Sequence, residues 1–273
     1  MLSVKLLKIH HAGEGEASKL EPYIDNSDVF SPENPALTEK SAFKLEDQWE
    51  SLLHDRLSHR EIELILRYCS PAAPTDEASY GVKQHLYIYD KRIHLFYSER
   101  FKESEAKRLC DLKKQSDENY DLSIRKLLGG DVDNFFNLYE KGLLQDSELT
   151  EIRDKEIARN IDQAEYYLRE RYHDLSSKRN LRLTVSIGAL HFPEKYTQLK
   201  IEVVDLVNRD PTRIVERLDS AIRSGQPFEE MKPIVLAYCG LNLSLEGKIN
   251  LNEGDIQRMS YNNLRRYFEA LRK

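Results

Sequence analysis

Two short apolar runs, far apart in the chain, each lead into a histidine: Val4 to Ile9 runs into His10-His11, and Leu183 to Ile187 runs into Gly188-Ala189-Leu190-His191. Runs of this length and type read as buried strands, and a histidine at the carboxyl end of a buried strand stands where open α/β sheets place their chemistry. Acids follow both, Glu14 and Glu16 after the first and Glu194 after the second. The pattern predicts two related halves of an internal repeat, with both histidines facing one cleft.

The rest of the chain sorts around these strands. Ser3 to Ile9, a helix-compatible stretch from Glu14 to Ile24, and a short strand over Asp28-Val29-Phe30-Ser31 stopped by Pro32 make a βαβ beginning, hence a parallel sheet. Apolar residues at threes and fours, Leu45, Trp49, Leu52, Leu53 and Leu57, then Ile62, Ile65 and Leu66, predict helix from Thr38 to Cys69. Ser58 with Glu61 three residues later reads as a capping box that divides it. Arg92 to Tyr97 is a third strand candidate, ending at Ser98-Glu99. Residues 101–175 are polar and helical, interrupted at Gly129-Gly130 and Gly142, and read as a helical insertion covering one side of the sheet or a lid. Strands return at Leu181 to Ile187 and Lys200 to Leu206, and a helical tail starts at Pro211. The predicted class is α/β, a central, mostly parallel sheet built from two related βα halves with a helical insertion and a helical C-terminal tail. The expected organisation is one domain over 1–210, with the insertion at about 101–175, and a helical extension over 211–273 packed on it.

Composition narrows the function. With 32% charged residues and a mean hydropathy of −0.64, the chain reads as soluble with solvated helices. No window approaches the roughly 18 apolar residues of a membrane span. The first residues lack the apolar run of a signal peptide, so a cytoplasmic location is expected. Cys69, Cys110 and Cys239 are too widely spaced for a disulfide framework or a metal knuckle. A net charge of −6, with basic residues interspersed among acids, argues against nucleic acid as a partner.

The candidate chemistry gathers in four places. His10-His11-Ala12-Gly13-Glu14-Gly15-Glu16 combines imidazoles, carboxylates and glycines that permit close backbone approach. Because neighbouring strand residues point to opposite sides, one histidine faces the cleft, and alignment with His191 selects His11. Glu33 and Glu99 each close a short strand, where a ligand or general base is expected. Arg153, Glu156, Arg159 and Asn160, spaced by threes and fours, share one helix face, which in most proteins is simply solvated.

Taken in order, these motifs resemble the superfamily that includes TraB-like proteins, Tiki proteases, erythromycin esterases and ChaN-like haem-binding lipoproteins. Gly188 to His191 fits its second GxxH motif in full, whereas Lys8-Ile9-His10-His11 fits the first only in its histidine, because Lys8 replaces glycine. Ser31-Pro32-Glu33 resembles the acid after the second strand, and Arg153 to Asn160 the Arg/Glu helix. The resemblance covers residues 3–206 and implies a cleft lined by histidine and glutamate.

Two classes of function follow. The first is a hydrolase of peptidase or esterase type acting on a small-molecule or peptide substrate. In it His11, Glu33, Glu156, Arg159 and His191 carry catalysis, and His11, Glu14, Glu33 and His191 hold a divalent ion such as zinc, manganese, cobalt or iron. Without a metal, His191 or His11 is the general base, a glutamate orients it and Arg159 stabilises the oxyanion. The second is a non-catalytic binding or regulatory protein on the same fold, which Lys8 and the long charged insertion favour. A haem or other cofactor binder, with one histidine as axial ligand, is a weaker third reading. No phosphate-binding glycine loop is present.

Overall fold

The computed structural model describes residues 1–9, 16–32, 37–55, 57–58, 60–62, 86–188, 190–207 and 212–271. The chain forms two compact units: Met1–Arg108 with Thr150–Val207, and Leu109–Leu149 with Asn208–Lys273. The helical insertion therefore divides, residues 109–149 grouping with the C-terminal helices and the remainder with the sheet.

In the first unit β1 (Leu2–Ile9), β2 (Val29–Ser31), β4 (His94–Leu95), β6 (Leu181–Gly188) and β7 (Ile201–Asp205) form one parallel sheet in the order β4-β2-β6-β1-β7. A second, two-stranded parallel sheet pairs β3 (Leu37–Thr38) with β5 (Arg100–Phe101). β1 and β6 are buried on both faces: β6 alternates Leu181, Leu183, Val185 and Ile187 with Thr184 and Ser186, which are buried as well. Val4, Leu6, Leu181, Leu183, Val185 and Ile187 pack on one side against Ile157, Ile161, Ala164 and Leu168 of α4 (Val132–Arg171). Leu7, Ile9 and Phe30 pack on the other against Leu20 and Ile24 of α1 (Glu16–Ile24) and Ala42, Trp49 and Leu53 of α2 (Glu39–His54). The unit is thus an α/β fold with a parallel sheet between helical layers, as the βαβ beginning implies.

Several boundaries differ from the sequence pattern for identifiable reasons. Helix α2 starts at Glu39 because Thr38 caps it, its hydroxyl accepting from Ser41 N (3.2 Å). The Ser58/Glu61 capping box is present: Ser58 N donates to Glu61 Oε2 (2.8 Å) and Glu61 N to Ser58 Oγ (3.4 Å). The strand read over Arg92 to Tyr97 is only two residues long, because Tyr97 N turns to the buried carboxylate of Glu46 (2.9 Å) instead of continuing the ladder. The β6–β7 connection contains a 3-10 turn, Pro193–Lys195.

In the second unit the Leu109–Leu128 part of α3 (Glu103–Leu128) and the Val132–Leu149 part of α4 accompany α6 (Ile214–Arg223), α7 (Phe228–Leu245), α8 (Glu253–Arg258) and α9 (Tyr261–Ala270). The short α5 (His173–Ser176) belongs to the first unit. Leu127, Phe135, Phe136, Tyr139, Val235, Leu236 and Phe268 share one core, which explains the grouping of the two chain segments. Gly130 ends α3 in the left-handed region (φ 73°), and Asp131 N closes the helix by donating to Lys126 O (2.9 Å). Gly142 does not interrupt the helix. It lies inside α4, where an added Cβ would stand 2.8 Å from Tyr120 Cε1, so it is the contact, not the backbone, that requires glycine. No helix of the described residues is long and apolar enough to cross a membrane.

Candidate functional site

The sheet order fixes where a site can form. From β1 the chain crosses over β6 to reach β2, and from β6 it crosses over β1 to reach β7. The two adjacent central strands therefore send their connections in opposite directions, which makes the carboxyl ends of β1 and β6, at Ile9 and Gly188, a topological switch point. α4 runs antiparallel to these strands. Its Glu165 meets the amino end of β1, accepting from Leu2 N (3.0 Å), and Asp154, about three turns earlier in α4, meets His191 beyond the carboxyl end of β6.

His191 stands three residues beyond this end of β6, 5% exposed, with its Nδ1 2.6 Å from Oδ1 of Asp154 on α4. The other oxygen of Asp154 accepts from Phe192 N (2.7 Å), so one buried carboxylate fixes both the imidazole and the backbone beside it. In the neutral imidazole a carboxylate can only accept, so Nδ1 carries the hydrogen and Nε2 the lone pair. His191 N also closes the turn by donating to Gly188 O (3.1 Å), which accounts for the four-residue spacing of glycine and histidine.

On the same side of the sheet Lys8, in alternation with Val4 and Leu6, is 4% exposed and 2.6 Å from Glu194 Oε1. Its ammonium lies 4.0 Å from the Phe192 ring centroid, a cation–π contact. Lys8 thus puts a buried, paired cation next to the His191 turn. Glu194 Oε2 is a buried acceptor with no hydrogen-bond partner among the described residues.

Of the Arg/Glu helix face, Glu156 and Asn160 are buried and Arg153 is half-buried, while Arg159 stays exposed. Arg153 grips buried Glu99 with two bonds, Nε to Oε1 (2.5 Å) and Nη2 to Oε2 (3.0 Å). Glu156 accepts from Asn160 Nδ2 (3.0 Å) and from Arg159, and Asn160 also donates to Ser98 O (2.9 Å). Arg159 reaches Glu39 at 4.0 Å. These bonds tie α4 to the segment between β4 and β5; Glu156 bonds both Arg159 and Asn160, while Asp154 bonds His191. Next to them Ser31 Oγ, at the end of β2, donates to Ser98 Oγ (2.8 Å).

Of the sequence-predicted residues, His191, Glu156, Arg159 and Glu99 are placed by the structure at this end of the sheet, while His11, Glu14 and Glu33 lie outside the described residues. Among the described residues no group of three or more histidine, cysteine, aspartate or glutamate side chains is arranged to hold a metal ion. Asp154 was missed by the sequence pattern, although it sits inside the Arg153–Asn160 segment, because it lies about 100° around the helix from Arg153. The available signal was its register with Ile157 and Ile161, the apolar face that packs on the sheet. No protein-family model matches the chain, and no curated protein or solved structure matches it either.

Proposed function

We propose that the first unit is a hydrolase of peptidase or esterase type, with His191 activating water at the switch point and Asp154 orienting its imidazole. The observation that carries this reading is the buried Asp154–His191 hydrogen bond (2.6 Å) at the carboxyl end of a central parallel strand. A carboxylate on Nδ1 presents the Nε2 lone pair, the atom a general base needs. Glu99, Arg153, Glu156 and Asn160 hold α4, which carries Asp154, against the segment between β4 and β5 and act as positioning residues. Arg159, the more exposed cation, is the candidate to stabilise an oxyanion.

The same donor set suits a divalent ion. A carboxylate on the far nitrogen is the usual partner of a metal-ligating histidine. His191 would then be one ligand, with His11, Glu14 and Glu33 as the others that the resemblance suggests. Such an ion would bring the pKa of bound water to about 7.

The competing reading, a non-catalytic binding protein on the same fold, draws support from Lys8, whose buried ammonium places positive charge beside the His191 turn. The test is hydrolysis of a panel of chromogenic esters and unstructured peptides, run before and after dialysis against a chelator and again with zinc, manganese, cobalt or iron(II) restored. Turnover of any member supports the hydrolase, and its loss and recovery on metal exchange supports the metal form. No turnover under any metal condition, by protein shown to be folded, overturns the proposal in favour of a binding protein.

A further inference from the structure

His94 occupies an unusual position in the first unit. It starts the edge strand β4, and both of its ring nitrogens face carboxylates: Nδ1 lies 2.9 Å from Glu50 Oε1 of α2, and Nε2 lies 3.1 Å from Asp174 Oδ2 of α5. The ring stacks on Tyr172, with centroids 4.2 Å apart and planes at 21°. Tyr172 in turn donates its hydroxyl to Leu95 O (2.7 Å).

A neutral imidazole has one N–H and one lone pair, and a carboxylate has only lone pairs. Neutral His94 would therefore hold a lone pair against one of the two carboxylates, whereas the imidazolium satisfies both. We propose that His94 is a proton-operated clasp, which as an imidazolium ties α2 and α5 to the edge strand and which on losing its proton releases α5. Asp174, at 62% exposure against 23% for Glu50, is the partner that water can replace, so the α5 side opens.

The surroundings agree on direction. Burial alone pushes the imidazole down, but the hydrogen bonds and charges of Glu50 and Asp174 outweigh it and hold His94 above its ordinary 6.5. Asp174, although burial raises it, is held below its usual range chiefly by His94, with Lys178 also acting on it. Tyr172 is pushed far up by burial and stays a neutral hydroxyl, while Arg171 lies 5.7 Å from its ring. Asp28, next to the neighbouring strand, is engaged by Lys178 and Arg182. Two carboxylates thus face His94 directly, and the cations around them bear on Asp174, Asp28 or Tyr172.

A group whose affinity for protons is raised by folding contributes stability that is complete below 6.5 and is lost as pH rises through the folded midpoint. Each unit of elevation corresponds to about a tenfold change in the closed-to-open ratio.

The test is NMR of the full chain from pH 5 to 9, following His94 Cε1–H together with hydrogen-exchange protection of the Leu175 and Lys178 amides. These amides bond to Tyr172 O (3.0 Å) and Leu175 O (3.2 Å). The expected midpoint lies above 6.5 and falls in both Glu50→Gln and Asp174→Asn, because each carboxylate raises it. Protection, after correction for intrinsic exchange, should drop through the wild-type midpoint and be low at every pH in Asp174→Asn. A midpoint at or below 6.5, a midpoint unmoved in both variants, or protection flat across the midpoint would overturn the clasp.

Discussion

Replacing Asp154 by asparagine tests the orienting role directly. The carboxylate is 3% exposed and accepts two hydrogen bonds, from His191 Nδ1 (2.6 Å) and Phe192 N (2.7 Å). Asparagine has one oxygen. If that oxygen keeps the backbone N–H of Phe192, the amide NH2 faces His191 and can only donate, so the imidazole must flip to the tautomer with hydrogen on Nε2. The stability cost is one ionic hydrogen bond, about 1.5–3 kcal/mol. At a urea dependence near 2 kcal/mol per molar, the unfolding midpoint should fall by about 1 M. The chemical cost is larger: a base in the wrong tautomer loses about 10⁴ in turnover in a Ser-His-Asp enzyme, and a comparable loss of hydrolysis is expected here. Long-range ¹H–¹⁵N correlation of the imidazole reads the tautomer, and urea titration followed by circular dichroism reads the stability. The orienting argument is refuted if His191 keeps its hydrogen on Nδ1 in Asp154→Asn, or if stability falls while hydrolysis is unchanged.

Other expectations concern the surrounding framework. Gly142→Ala should destabilise the second unit by about 1–3 kcal/mol in thermal unfolding, despite alanine's better helix propensity, because the new Cβ meets the Tyr120 ring at 2.8 Å. Glu46→Ala removes a fully buried carboxylate from between Arg100 (3.8 Å) and Arg171 (3.5 Å), and should cost about 3–5 kcal/mol by urea titration. Burial pushes the Cys239 thiol up to about 12, so iodoacetamide at pH 8 should leave it unmodified in the folded protein, with peptide mapping as the readout. On the acid side, Asp28 is held below its usual range: burial raises it, but hydrogen bonds from Arg182 and Lys178 win. Its contribution is complete above the unfolded carboxylate range and disappears as pH falls through the folded value, so Asp28→Asn should flatten the acid limb of the stability profile.

The parallel sheet was legible in the sequence because β1 and β6 lie at its centre, where Val4, Leu6 and Leu7 and the alternating Leu183, Val185 and Ile187 give a strand signal, and the βαβ order of the first elements implies parallel pairing. The short edge strand β4 was overdrawn at six residues. Its apolar run, Ile93 to Tyr97, is buried for a different reason: the backbone leaves the ladder to satisfy Glu46, and a buried acid on a distant helix gives no local sign of this. The split of the insertion was also hidden, since α3 and α4 are continuous helices and only tertiary packing of Phe135, Phe136 and Tyr139 with Val235 and Phe268 assigns their ends.

At the site, spacing alone found the GxxH turn and the face formed by Arg153, Glu156 and Asn160. It could not show that this face is buried, because the same pattern on a helix is usually solvated. Asp154 and the Lys8–Glu194 pair are long-range contacts, 37 and 186 residues apart in sequence, and no local periodicity encodes them.

The most direct measurement of the central claim is the hydrolysis rate of wild type beside His191→Gln, with urea stability determined on the same samples. Loss of about 10² or more in rate, with the variant still folded and its stability lowered by no more than about 3 kcal/mol, is the predicted result. Equal rates in the two proteins, or a variant that loses stability and keeps its turnover, would contradict the account and return His191 to a packing role beneath Asp154.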